Sequence, residues 1–184
     1  LRAMRDLGAR PAEAFEPFIR YTEVLDRAID SSLPRPLDER GRLRSDWRPG
    51  GRWPRYVHVD LALRKDACGL AMAHLEPTPG QHEPIAVVDL MLQIVPPETG
   101  EIKIASVREL IMALHRRGCG IAQVSFDGYQ SADSRQILSD RGFNVKLVSV
   151  DRDMEAYETL KEMLNEGRLR WYRYEPVLQE CRGL

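Results

Sequence analysis

Two aspartates in apolar surroundings are the residues of this chain best suited to chemistry. Asp60 interrupts Tyr56-Val57-His58-Val59-Asp60-Leu61-Ala62-Leu63, a run of strand-forming residues, and Asp127 follows a second such run, Ile121 to Phe126. With the two-residue period of a strand, Val57, Val59, Leu61 and Leu63 share one face, and Asp60 lies on the other beside His58 and Ala62. A central strand buries both faces, so an ionised Asp60 there has to be hydrogen-bonded, paired with a base or bound to a metal ion. Two convergent carboxylates bind hard divalent cations such as Mg²⁺ or Mn²⁺ through oxygen and leave positions for water and phosphate oxygens. Two ions about 4 Å apart can activate an attacking water and stabilise the leaving oxygen of a phosphodiester, which is nuclease chemistry.

The elements that must bring the two acids together show as changes of period along the chain. Three strands are expected first, over residues 56–63, 68–75 and 85–95, with short connections that suggest an antiparallel meander. Val107, Leu110, Ile111 and Leu114 then recur at helical spacing, and Gly118 ends the helix. The strand Ile121 to Phe126 leads into a helix capped by Ser131 and running to about Arg141, then a strand from Phe143 to Val150. Asp151 or Asp153 caps a third helix, with Tyr157, Leu160 and Leu164 on its inner face, and residues 169–174 form a short last strand. The β-β-β-α-β-α-β-α order predicts an α/β fold: a mixed central sheet with helices on both faces, in the order of the ribonuclease H-like fold. Its first and fourth strands tend to be central neighbours, so Asp60 and Asp127 face one crevice.

With 184 residues and 43% apolar composition the chain can bury one substantial core. We read residues 1–51 as an N-terminal helical or irregular arm, rich in Pro and Gly after Ser31, and residues 52–184 as the domain, truncated at its C-terminal end. Trp47 and Trp53 anchor the arm on the domain. The net charge of -1 argues against a uniformly basic nucleic-acid-coating protein, but it hides an asymmetry: residues 1 to 55 hold twelve Arg against nine Asp or Glu. Three dispersed cysteines, Cys68, Cys119 and Cys181, make neither a metal-spaced pair nor a disulfide framework, which suits a reducing compartment. No apolar run reaches the roughly 18 residues a membrane span needs, and no membrane partner is expected.

The phrases His58-Val59-Asp60-Leu61-Ala62 with Asp66-Ala67-Cys68-Gly69-Leu70, Val124-Ser125-Phe126-Asp127-Gly128-Tyr129-Gln130-Ser131, and Val148-Ser149-Val150-Asp151-Arg152 resemble the nuclease domain of tailed-phage terminase large subunits. The resemblance covers roughly residues 50 to 184, and the preceding arm is similar to the connection that follows the packaging ATPase. It implies a metal-dependent endonuclease that cuts concatemeric double-stranded DNA in the host cytoplasm, using two Mg²⁺ or Mn²⁺ ions. Asp60 and Asp127 would be catalytic metal ligands and Asp66 an assisting one. The implied partners are the ATPase domain, the portal and the small terminase subunit, the isolated domain being a monomer. The family has a further acid near a C-terminal helix; no such segment is expected before Leu184, so the third ligand stays unnamed. No Gly-x-x-x-x-Gly-Lys-Ser/Thr phosphate loop is present, and ATP hydrolysis is not assigned to this chain.

Asp151 and His58 are candidates for supporting roles, although Asp151 also suits a helix cap and a lone strand histidine is more often a satisfied core residue. Arg64, Lys65, Gln130, Ser131 and Arg152 are candidate DNA contacts, and Glu109 falls on the solvated side of its helix. Two other readings stand beside the nuclease: a non-catalytic DNA-binding or docking fragment of the motor, and another ribonuclease H-like nuclease such as a junction resolvase.

Overall fold

The computed structural model describes residue 19 and residues 21–61, 67–80, 82–98, 100–128, 131–149 and 154–183. In chain order they form α1 (Glu23–Ala28), β1 (Arg55–Asp60), β2 (Cys68–Glu76), β3 (Ile85–Ile94), α2 (Ile104–Arg116), β4 (Ile121–Phe126), α3 (Ala132–Asp140), β5 (Val145–Leu147), α4 (Glu155–Asn165), β6 (Leu169–Trp171) and α5 (Glu175–Gly183). The predicted order is present. Helix α5 was not expected; β1 stops at Asp60, short of the predicted end at Leu63, and β5 is only three residues long.

One sheet holds all six strands in the order β5-β4-β1-β2-β3-β6. The meander β1-β2-β3 is antiparallel, whereas β4 and β5 continue parallel from β1, and β6 lies parallel to β3. The parallel half needs crossovers, which α2 and α3 supply by packing over one face. Val57, Val59, Leu70, Met72, Leu90, Val124 and Phe126 point to that face, and Val107, Ile111 and Leu114 of α2 meet them at the spacing of one helical stripe. Gly118 stops α2 with φ +86°, a conformation that costs a residue with a Cβ. Trp47 of the arm is buried in the same core, and Arg117 Nη1 donates to the Arg44 carbonyl at 2.7 Å.

The opposite face is covered at one end only. There Leu25, Ala28, Leu164, Leu169, Trp171 and Leu178, from α1, α4, β6 and α5, pack with Met91 of β3. Over β1 the same face stays open: Tyr56 and Asp60 are exposed and His58 is half-buried, against the expectation that β1 is covered on both sides.

An irregularity in β3 divides the strand. Met72 pairs with Leu90 and Ala73 with Val88, so Asp89 is an extra residue that shifts the alternation. The Asp89 carboxylate accepts from Arg55 Nε at 3.0 Å and lies 2.7 Å from His74 Nδ1, with side-chain exposures of 0%, 7% and 4% for Arg55, Asp89 and His74. Arg55 also donates to the carbonyls of Trp53, at 3.1 Å, and Gly50, which ties the arm to the start of β1. On β3's outer edge β6 reaches only from Ala86 to Val88. Beyond it, Tyr172 Oη accepts from the Met91 amide at 2.8 Å and donates to the Met91 carbonyl at 2.9 Å, and Tyr174 Oη accepts from the Gln93 amide at 3.0 Å. Two side chains thus take over where strand pairing ends, and they deliver the chain into α5.

Candidate functional site

Register decides which groups share the open face. In the parallel pair β1-β4, His58 stands opposite Ser125 and Val59 opposite Phe126. The Asp127 amide donates to the Val59 carbonyl at 3.0 Å, which extends the pairing to the level of Asp60. By alternation, Asp60 and His58 of β1 therefore share a face with Ser125 and with Asp127, just beyond the end of β4. Both acids stand at the carboxyl ends of neighbouring parallel strands. Gly128 follows with φ +72°, a left-handed backbone that glycine adopts without strain.

Below the acids, Ser125 Oγ donates to the Val57 carbonyl at 3.2 Å, spending its one proton, and lies 2.9 Å from His58 Nδ1. Nδ1 is then the donor of that pair, which leaves Nε2 as the ring's acceptor. Burial is the main influence on His58 and pulls its pKa below the ordinary histidine value, while the charges of Asp127 and Asp60 push it back up. Beside them, burial and the Asp60 charge raise the Cys68 thiol to about 11, so Cys68 is an inert core residue rather than a nucleophile.

Across β2 the face is lined by small residues. Gly69 pairs with Asp60 and Ala71 with His58, and on their other side Gln93 and Met91 of β3 complete the rows. Helix α5 stands beyond, so that a trough of about 480 Å³ runs from Asp60 and His58 over Gly69 and Ala71 to Tyr174, Val177 and Glu180. Glu180 accepts from Gln93 Nε2 at 3.3 Å. It went unnoticed in the sequence because no helix was expected after the last strand. Its signal is the apolar Val177, Leu178 and Cys181 beside exposed Glu180, an amphipathic turn following Glu175-Pro176.

The predicted site residues divide in three. Asp60, Asp127 and His58 come together. Asp66, Arg64, Lys65, Gln130, Asp151 and Arg152 lie outside the described residues. Ser131 is buried, and it does not cap α3 through its side chain as expected: its backbone is already helical, and its hydroxyl donates to the Gly128 carbonyl at 2.7 Å, bracing the turn after Asp127. The carboxylates of Asp60 and Asp127 are hard oxygen donors reachable from solvent, and among the described residues no arginine or lysine is ion-paired with either. That donor chemistry fits a divalent cation. Among the described residues no group of three or more His, Cys, Asp or Glu is placed to hold a metal ion.

No protein-family model matches the chain, and no curated protein matches it by sequence. Solved structures do match. The large terminase nuclease from thermophilic phage G20c superposes with TM-score 0.61 at 16% identity, over 90% of this chain and 80% of that one. The same nuclease with bound zinc gives TM-score 0.60 at 16% identity, over 89% and 86%. The HK97 bacteriophage large terminase matches with TM-score 0.59 at 17% identity over 88% of this chain and 35% of that one, so the chain spans about a third of that protein. The fold is that of the phage large terminase nucleases, a ribonuclease H-like mixed sheet with helices on both faces.

Proposed function

We propose that this chain is a metal-dependent DNA endonuclease domain of a phage terminase large subunit, cutting concatemeric double-stranded DNA in the bacterial host's cytoplasm during packaging. One observation carries the reading: Asp60 and Asp127 stand on one open face at adjoining ends of parallel β1 and β4, in a fold shared with large terminase nucleases. That a solved relative of this fold is described with bound zinc supports metal binding here. The working ions would be Mg²⁺ or Mn²⁺, held by Asp60 and Asp127 with help from Asp66. When bound, they would supply an activated water and stabilise the leaving oxygen.

The chain's own residues do the rest. Asp60 and Asp127 concentrate negative charge at a strand end that carries no described counter-cation, which favours a divalent ion over a lone phosphate. Ser125 holds the His58 ring still through Nδ1, so that Nε2 faces the same end of the trough as Asp60 and can accept a hydrogen bond from water. Arg64, Lys65, Gln130, Arg152 and Asp151 would frame the crevice from its loops, while buried Ser131 braces the turn after Asp127 and is not a DNA contact. We take residues 1–51 as the arm towards the packaging ATPase, with the portal and small terminase subunit as further partners.

Supercoiled plasmid incubated with the purified chain and Mn²⁺ is expected to be nicked and linearised. Asp60→Asn and Asp127→Asn should each remove that activity. Full cutting by both variants would overturn the assignment.

A further inference from the structure

The trough beside Asp60 is unlike a phosphate track. Among the described residues that line it there is no lysine or arginine, whereas both ends carry carboxylates, Asp60 at one and Glu180 at the other. Along the described floor a phosphodiester finds no cationic side chain, and the Glu180 end repels it. The floor and far wall are instead apolar: Gly69 and Ala71 below, with Met91, Tyr174 and Val177 beyond. The space is built in by sequence. A Cβ placed on Gly69 would meet nothing nearer than the Asp60 Cβ at 3.9 Å, so the emptiness belongs to the row of small residues and not to a collapsed packing. The wall is held in place as well, because the Tyr174 hydroxyl is bonded to the Gln93 amide of β3 at 3.0 Å.

A volume of about 480 Å³ is within the usual range for a small-molecule pocket, and apolar walls with a few polar groups at the two ends suit a flat heterocycle. We infer that the trough between Asp60 and α5 receives an unstacked nucleotide next to the scissile phosphate, its base over Gly69 and Ala71 against Tyr174. This rests on the nuclease reading of Asp60 and Asp127. Intact duplex turns its bases inward and offers the sheet only sugar and phosphate, so the trough fills only when the strand next to the cut is unpaired. Taking a base out of the stack costs a few kcal/mol, least where pairing is already lost. Stacking on an aromatic wall recovers part of that cost for any base. Gln93 and Glu180 at the far end present an amide and a carboxylate to the base edge, and the carboxylate favours bases with an exocyclic amino group.

The experiment uses the full chain with Ca²⁺ and two probes: a single-stranded heptanucleotide with central 2-aminopurine, and the same sequence in a duplex. The parent should bind the single strand at least about tenfold more tightly than the duplex, with a change in 2-aminopurine emission as the base leaves water for the trough. Ala71→Leu, which fills the trough from an exposed strand position, should lose about tenfold in single-strand affinity; Ala71→Ser should bind like the parent. If Ala71→Leu does not fold, as judged by circular dichroism, Val177→Trp fills the space from the opposite wall. Equal binding of single strand by parent and filled variant, or unchanged emission on binding, overturns the inference. Plasmid cutting separates the two readings. Equal cutting by parent and filled variant leaves the nuclease and removes the trough; strand binding lost on filling, in a parent that cuts no plasmid, leaves the trough and removes the nuclease.

Discussion

Strand β1 begins with a buried cation and ends with an exposed anion, and the two ends use their carboxylates in opposite ways. At the Arg55 end, Asp89 is enclosed, with Arg55 Nε at 3.0 Å and His74 Nδ1 at 2.7 Å, and Arg55 also donates to the carbonyls of Trp53 and Gly50. At the other end Asp60 is exposed and Asp127 half-buried, with no described arginine or lysine ion-paired to either. The first arrangement is complete within the chain and reads as structure. The second has no cationic partner among the described residues, and two like charges at neighbouring strand ends repel. Carboxylates alone do not mark a site; their state of neutralisation does.

Exchanging the roles experimentally breaks or sharpens this contrast. The largest expected effect is on chemistry: Asp60→Asn should take plasmid cutting to background while moving the urea unfolding free energy by no more than about 0.5 kcal/mol, because the residue is exposed. Asp89→Ala should do the reverse. Leaving Arg55 buried and unpaired should cost about 3–5 kcal/mol of stability, read as a lower urea midpoint, and loosen the arm at Gly50. Next comes Tyr172→Phe, which leaves the Met91 amide and carbonyl without their partner at the edge of β3; a loss of about 1–3 kcal/mol is expected in the same assay.

The smallest effect concerns pH. His58 has its pKa lowered in the fold, so the unfolded chain binds the proton more readily. Its contribution is therefore neutral above the ordinary histidine range and destabilising as pH falls through it, levelling off below the folded value. His58→Gln should flatten that part of the stability-against-pH curve, and an unchanged slope would count against the assigned burial.

Much of the sheet was legible because its signals are local. The apolar alternation of Val57 and Val59, the helical stripe of Val107, Ile111 and Leu114, and the turn at Gly118 each state their element within a few residues. The nearness of Asp60 to Asp127 was legible too, because strand order follows from the switch of period after β3. What escaped depended on tertiary context. The open face over β1 could not be read from β1, since it results from α1, α4 and α5 gathering over β3 and β6. The same holds for Asp89: its burial requires the bulge that sets it against Arg55, 34 positions earlier in the chain. Glu180 was missed for a second reason, a short helix after the last strand whose apolar side shows only once Leu178 has something to cover.

The tyrosine pair at β3 also bears on how copies of this chain behave towards one another. A sheet recruits foreign strands through unpaired amides and carbonyls along its border. Here one border strand, β5, is three residues long, and so is the other, β6; where β6 ends, the hydroxyls of Tyr172 and Tyr174 already occupy the Met91 and Gln93 amides. Neither border offers a long template for strand addition, a form of built-in resistance to edge-to-edge aggregation.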